Sequence, residues 1–203
     1  MDRVAAILLA AGRSRRMGAF KPLLPFGQQT VIESAVGNLR EADVNDIIVV
    51  VGHRGDEIRH KLSNARVSFA INSDPDSPMA TSIALGMDQV DEQFDAVLIA
   101  PADHPAISAD AIKSIMNEWK SGALLVQPEY ADRGGHPVLV DRRYFDELLR
   151  LDPKVGLRGF FAQHRGETRR LPVNSPFIAR DMDKWEDYLS LHLEVFGRAP
   201  RQI

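Results

Sequence analysis

The residues of this 203-residue chain best suited to chemistry begin where its first apolar run ends at Leu9, in Ala10-Ala11-Gly12-Arg13-Ser14-Arg15-Arg16-Met17-Gly18-Ala19-Phe20-Lys21. Small residues at Ala10, Ala11 and Gly12 let backbone N–H groups approach an anion closely, while Arg16 and Lys21 can neutralise phosphate charge. That combination suits a triphosphate. Two standard phosphate motifs are excluded. The Walker loop needs lysine directly after its second glycine, and Gly18 is followed by Ala19; the dinucleotide fingerprint needs glycine two after the first, and that position is Ser14.

Two acidic segments could hold a metal. The apolar run 96–100 ends in Pro101-Ala102-Asp103-His104-Pro105. A carboxylate just past the carboxyl end of a buried strand sits where a bound phosphate would be, and Mg²⁺ prefers a few carboxylates plus phosphates and waters. Ser108 is the better cap for the helix that follows, which leaves Asp103 free for metal. The second segment is Arg180-Asp181-Met182-Asp183-Lys184-Trp185-Glu186-Asp187. If 177–182 is extended, Asp181 and Asp183 share one side of it, and Asp183 also forms a capping box with Glu186 for a last helix. The two aspartates rank equally as the second metal ligand.

Other chemistries find no support. None of the six histidines falls in a zinc-binding spacing, and His53, His60, His164 and His192 read as surface or helix-flanking residues. There is no cysteine, which excludes disulfides and thiolate chemistry, and no Gly-x-Ser-x-Gly elbow. An acceptor phosphate, with a second pKa of roughly 6, can attack without a protein base. The net charge of −3 offers no cationic field for nucleic acid or an anionic membrane. The first apolar run is too short to span a bilayer and lacks a cleavage site, so the expectation is a cytoplasmic protein.

These residues need elements to position them. Runs at 4–9, 47–51, 96–100 and 123–126 lack polar alternation, as strands covered on both faces do. Between them Val31, Ala35, Leu39 and Ala42, then Ile83, Met87 and Val90, then Ile112, Ile115 and Trp119 recur at helical spacing. The architecture expected is α/β: a doubly wound, mostly parallel sheet with helices on both faces, in which ligands collect at the carboxyl ends of the strands. Past residue 126 the pattern gives a short strand 138–140, helices at about 142–150 and 155–164, a last strand near 177–178 and a helix from about 183. The chain reads as one domain, 1–203, in which 128–180 forms an acceptor-side extension; only 197–203 is weakly specified.

The order strand, Ala-Ala-Gly, Arg-Met-Gly, Lys-Pro-Leu-Leu resembles the signature of the MobA-like nucleotidyltransferases, the molybdenum cofactor cytidylyltransferases in particular. The resemblance runs from Val4 to Asp187. It implies a loop that wraps the triphosphate through Leu9, Ala10, Ala11 and Gly12, with Arg16 and Lys21 on phosphates and Ser82 on the nucleotide. GTP-using members carry Gly-Gly where this chain has Ala11-Gly12, so the resemblance leans toward CTP. Residues 181–187 resemble the family's Asp-Ile-Asp-Thr-Pro-Glu-Asp, with Trp185 in place of proline, and the family completes its Mg²⁺ site there together with Asp103.

The acceptor side follows in the same terms. Asn72-Ser73-Asp74-Pro75-Asp76-Ser77-Pro78 is rich in turn formers, and Met79-Ala80-Thr81-Ser82 opens the next helix, gathering hydroxyls and N–H groups. A Gly-Met-Ser-Ser-Ser segment holds this place in the family, so Asn72 and Thr81 are acceptor candidates despite Pro78 and Ala80. Arg133-Gly134-Gly135-His136-Pro137-Val138 resembles Arg-Gly-His-Pro-Val, and Val155-Gly156-Leu157-Arg158-Gly159 resembles Gly-Ala-Arg-Gly, adding His136 and Arg158. The partners implied are CTP, a molybdopterin-type acceptor and a molybdoenzyme or its chaperone as recipient. The alternatives are a sugar-phosphate or other small-molecule nucleotidyltransferase and a non-catalytic nucleotide-binding protein that delivers a cofactor.

Overall fold

The computed structural model describes residues 2–74 and 76–200, so Pro75 of the turn-forming stretch and 201–203 of the chain's end lie outside it. Strands β1 (Val4–Ala10), β2 (Asp46–Val51), β3 (Ser68–Ile71), β4 (Ala96–Pro101), β5 (Leu125–Tyr130), β6 (Val138–Asp141) and β7 (Thr168–Pro172) form one sheet in the order β7-β5-β6-β4-β1-β2-β3. β6 is antiparallel to β4 and β5, and every other pair along that order is parallel. The strand order reverses at β1, which lies between β2 and β4. The carboxyl ends of β1 and β4 therefore flank the crevice where ligands collect in such sheets.

Both faces are covered. Ala6, Leu8 and Ala10 of β1 pack on the side of helices α1 (Val31–Glu41) and, after a short α2 (Gly55–Lys61), α4 (Ala109–Lys120). Ile7 faces the other way, toward α3 (Met79–Met87), α5 (Phe145–Leu149) and α6 (Gly156–Gln163). This is why the central strands read as unbroken apolar runs: each buried Ile, Leu or Val contributes roughly 1.5–3 kcal/mol, and every position of 5–8, 47–51 and 96–100 is buried. Ser108 caps α4, its Oγ accepting from the Ala111 N–H at 3.3 Å. Among the described residues no helix is long and apolar enough to cross a membrane.

Three readings are corrected. Residues 177–178 are not a strand: Pro176–Ala179 is a 3₁₀ turn with Ile178 fully buried, and the last strand is β7, an arginine-bearing edge. The final helix, α7, is Trp185–Phe196; Asp187, not Glu186, closes its first turn by accepting the Lys184 N–H at 2.8 Å, so Asp183 is not a cap. His192 is buried rather than superficial, with Nδ1 on the Arg198 carbonyl at 2.7 Å and Nε2 accepting the Gly27 N–H at 3.3 Å.

Candidate active site

The loop after β1 turns back on itself. Ser14 adopts φ of +53°, its carbonyl receives the Met17 N–H at 3.2 Å, and its Oγ accepts the Lys21 N–H at 3.1 Å. Lys21 is thereby delivered, at the head of a short 3₁₀ turn, beneath the carboxyl end of β4. Its ammonium lies 3.0 Å from Asp103 Oδ2 and 2.9 Å from Asp183 Oδ1, and Arg16 pairs with the other oxygen of Asp183. Burial works against the Lys21 charge, but the two carboxylates outweigh it and hold its pKa above the ordinary lysine value. The hydrogen bond from Lys21 holds the Asp183 carboxyl below the usual range.

Leu9, Ala10, Ala11, Gly12 and Asp103 line a cleft of about 260 Å³, which Met79 and Ser82 at the head of α3 close from the far side. Lys21 and Ser14 also line a second recess of about 340 Å³ with Arg13, Arg15, Arg16, Asp76 and Asp183. The first chamber combines apolar walls with the polar side chains of Asn72, Ser77, Ser82 and Asp103, and the second is mostly charged. A family model described as MobA-like NTP transferase domain matches residues 6–168. The chain belongs to that family.

Similarity extends beyond the matched segment. This MobA-like chain is 26% identical over 191 residues to the molybdenum cofactor cytidylyltransferase of Escherichia coli, covering 94% of itself and 96% of that protein. It is 25% identical over 146 residues to the nicotine blue oxidoreductase of Paenarthrobacter nicotinovorans, covering 68% of itself and 71% of that protein. Among solved structures, a nucleotidyl transferase from Methanothermobacter superposes with a TM-score of 0.84 at 25% identity, covering 97% of this chain and 99% of that one. One relative is named for redox chemistry, so the reaction has to be argued from the site.

The carboxylates fit Mg²⁺. Asp103 and Asp183 already converge on one cationic group, and no cluster of three or more metal-ligating side chains forms among the described residues. Two carboxylates, with substrate oxygens and water filling the remaining positions, are what Mg²⁺ takes; a structural zinc site would need more. Asp181 is exposed and has no hydrogen bond or ion pair among the described residues, whereas Asp183 faces Lys21.

The other candidates scatter. Asn72 is buried beside the cleft, and Thr81 is half-buried in the first turn of α3. His136 lies behind the site, its ring 5.6 Å from that of His104, and burial depresses its pKa to about 4. Arg158 is exposed on α6 and lines neither chamber. Sequence reasoning missed Ser14, whose partner Lys21 is seven residues away. It also missed Gly52, where a Cβ would lie 2.8 Å from the Ala11 carbonyl oxygen and 3.0 Å from that of Asn72. Only glycine allows the end of β2 to approach both walls so closely. Asp76 escaped notice too; it pairs with Arg15 at 2.5 Å and Arg13 at 3.6 Å across the mouth of the charged recess.

Proposed function

We propose that this MobA-like protein transfers the cytidylyl group of CTP to a phosphate-bearing acceptor of the molybdopterin type. An acceptor phosphate oxygen forms a new bond to the α-phosphorus as the bond from that phosphorus to the β-phosphate oxygen breaks, and pyrophosphate leaves with the electron pair. The observation that carries the reading is the convergence of Asp103 and Asp183 on Lys21, with Arg16 beside it, at the crevice between β1 and β4. Mg²⁺, held by Asp103 and Asp183, would neutralise phosphate oxygens. Lys21 and Arg16 bind the β- and γ-phosphates and stabilise the charge that accumulates on the leaving group. The Ala10–Gly12 backbone seats the nucleotide, and the cleft walls exclude water and align the attack.

The choice of CTP and of a molybdopterin-type acceptor draws its support from Ala11-Gly12 and from the Escherichia coli relative, with a molybdoenzyme or its chaperone as recipient of the product. The test is incubation with Mg²⁺, each of the four nucleoside triphosphates and a panel of phosphate acceptors, with pyrophosphate measured. Mg²⁺-dependent release with CTP and a molybdopterin acceptor is the expected result. Triphosphate binding without turnover against any acceptor would instead identify a delivery protein, and turnover with a sugar phosphate would reassign the acceptor.

A further inference from the structure

Asn72, 4% exposed at the end of β3, makes three hydrogen bonds with its side-chain amide. Its Oδ1 accepts the Asp74 N–H at 3.1 Å, and its Nδ2 donates to Ser77 Oγ at 2.8 Å and to Ser82 Oγ at 2.9 Å. The Asp74 N–H can only donate, so it fixes which end of the amide is oxygen and turns the NH₂ toward the two serines. Both amide protons are then engaged, and each serine oxygen is an acceptor that keeps its own proton. Ser77 gives its proton to the Asp74 carbonyl at 2.7 Å. Ser82, 7% exposed, donates to no group among the described residues, and it lines the cleft.

We infer that Asn72 is a positioning residue that locks the Ser82 hydroxyl as a hydrogen-bond donor into the cleft, so the ligand group seated there is an acceptor, a phosphate oxygen or a nucleobase carbonyl. The inference rests on the nucleotide reading for the class of ligand and deepens it, because it gives this wall of the cleft a polarity. A carboxylate in place of the Asn72 amide would accept from both serines, reverse the Ser82 hydroxyl and present only lone pairs to the ligand.

The experiment measures binding of CTP and of inorganic tripolyphosphate to the full chain by calorimetry, in wild type, Ser82→Ala, Ser82→Thr, Asn72→Asp and the Ser82→Ala/Asn72→Asp double variant. Ser82→Ala should weaken binding by about 5- to 30-fold, the loss of one hydrogen bond, and Ser82→Thr, which retains the hydroxyl, should restore it. Placed on top of Asn72→Asp, the alanine change should cost nothing further; that coupling is not expected of a residue that only supports the fold. A loss against CTP alone assigns the contact to the nucleobase, and a loss against both probes assigns it to phosphate. Wild-type binding by Ser82→Ala, or an equal loss in both backgrounds, overturns the inference. A second arm is independent of ligand: in NMR spectra of the free protein, Ser82→Ala should shift one Asn72 side-chain amide proton. If wild type binds neither probe, the nucleotide reading fails and this arm still tests whether Asn72 donates to Ser82, on which the hydroxyl's orientation depends; an unmoved Asn72 amide refutes it.

Discussion

Lys21→Met removes an ammonium while keeping an unbranched apolar stem, and its effects on metal binding and on turnover should have opposite signs. Nζ sits 3.0 Å from Asp103 and 2.9 Å from Asp183, with the lysine side chain 11% exposed and the acids 27% and 32%. Hydrogen bonds between charged groups contribute about 1.5–3 kcal/mol when buried, and exposed ion pairs about 0.2–1. Each of these two partly open contacts falls between, at about 1–1.5 kcal/mol, so displacing the ammonium from both acids costs about 2–3 kcal/mol. A divalent cation competing for the same two carboxylates must meet that cost in wild type and is spared it in the variant. Titration with Mn²⁺ in the absence of nucleotide, followed by the EPR signal of the free ion, should show roughly 30- to 150-fold tighter binding to Lys21→Met, at about 1.4 kcal/mol per decade. Turnover should fall by about 10²–10³, the usual loss when one preorganised contact to a developing charge is removed. Equal Mn²⁺ affinity in the two proteins, or turnover preserved in the variant, would refute the reasoning.

Asp183→Asn should lower pyrophosphate release by about 10² or more, the scale of losing one electrostatic contact, while Asp181→Asn changes it only a few-fold; equal losses would show that the hold of Lys21 on Asp183 does not mark the ligand. Burial opposes charge on His164, but hydrogen bonds to Glu147 at 2.8 Å and Glu167 at 3.0 Å raise its pKa. A raised folded value makes its contribution complete below the unfolded value of about 6.5 and lost as pH rises through the folded one. His164→Gln should therefore melt a few degrees below wild type at pH 6, with the gap closing above that window; a gap independent of pH sinks this account. Gly52→Ala should push the Ala11 carbonyl away from its present position and cut turnover by about 10-fold or more, with circular dichroism showing a folded chain.

What was legible in the sequence follows burial. β1, β2 and β4 are apolar on both faces, and an uninterrupted run of Ile, Val, Leu and Ala cannot sit stably at an edge. The edge strands β3 and β7 carry no such run: Ser68–Ile71 has a single buried residue, and Thr168–Pro172 carries Arg169 and Arg170 into solvent. Helix α2 escaped for a similar reason, since Ile58 is its one buried residue amid charges. Asp103 and Lys21, which the fold brings together, stand out because each follows a visible strand or loop. Asp181 and Asp183 rank equally in the sequence because an extended 177–182 would put both on one side and Asp183-Glu186 has capping-box spacing; the 3₁₀ turn Pro176–Ala179 and the start of α7 at Trp185 remove both grounds. The direction of the Ser82 proton depends on three side-chain contacts around Asn72, which no spacing encodes.

The two halves of the site are joined by packing more than by charge. Met17, directly after Arg16, is buried in the same cluster as Met182, directly before Asp183, together with Leu24, Phe26, Val31, Tyr188 and Leu191. Tyr188 adds a hydrogen bond from its hydroxyl to the Pro25 carbonyl at 2.6 Å. Each such apolar side chain contributes roughly 1.5–3 kcal/mol on burial, whereas an exposed pair such as Arg16 with Asp183 contributes at most about 1. The cluster therefore sets where Asp183 meets the loop, and the ion pair reports that geometry. The family match ends at residue 168, so Asp183, which meets Lys21 and Arg16, lies on a segment beyond it, docked by its own small core on the residues that follow the loop after β1.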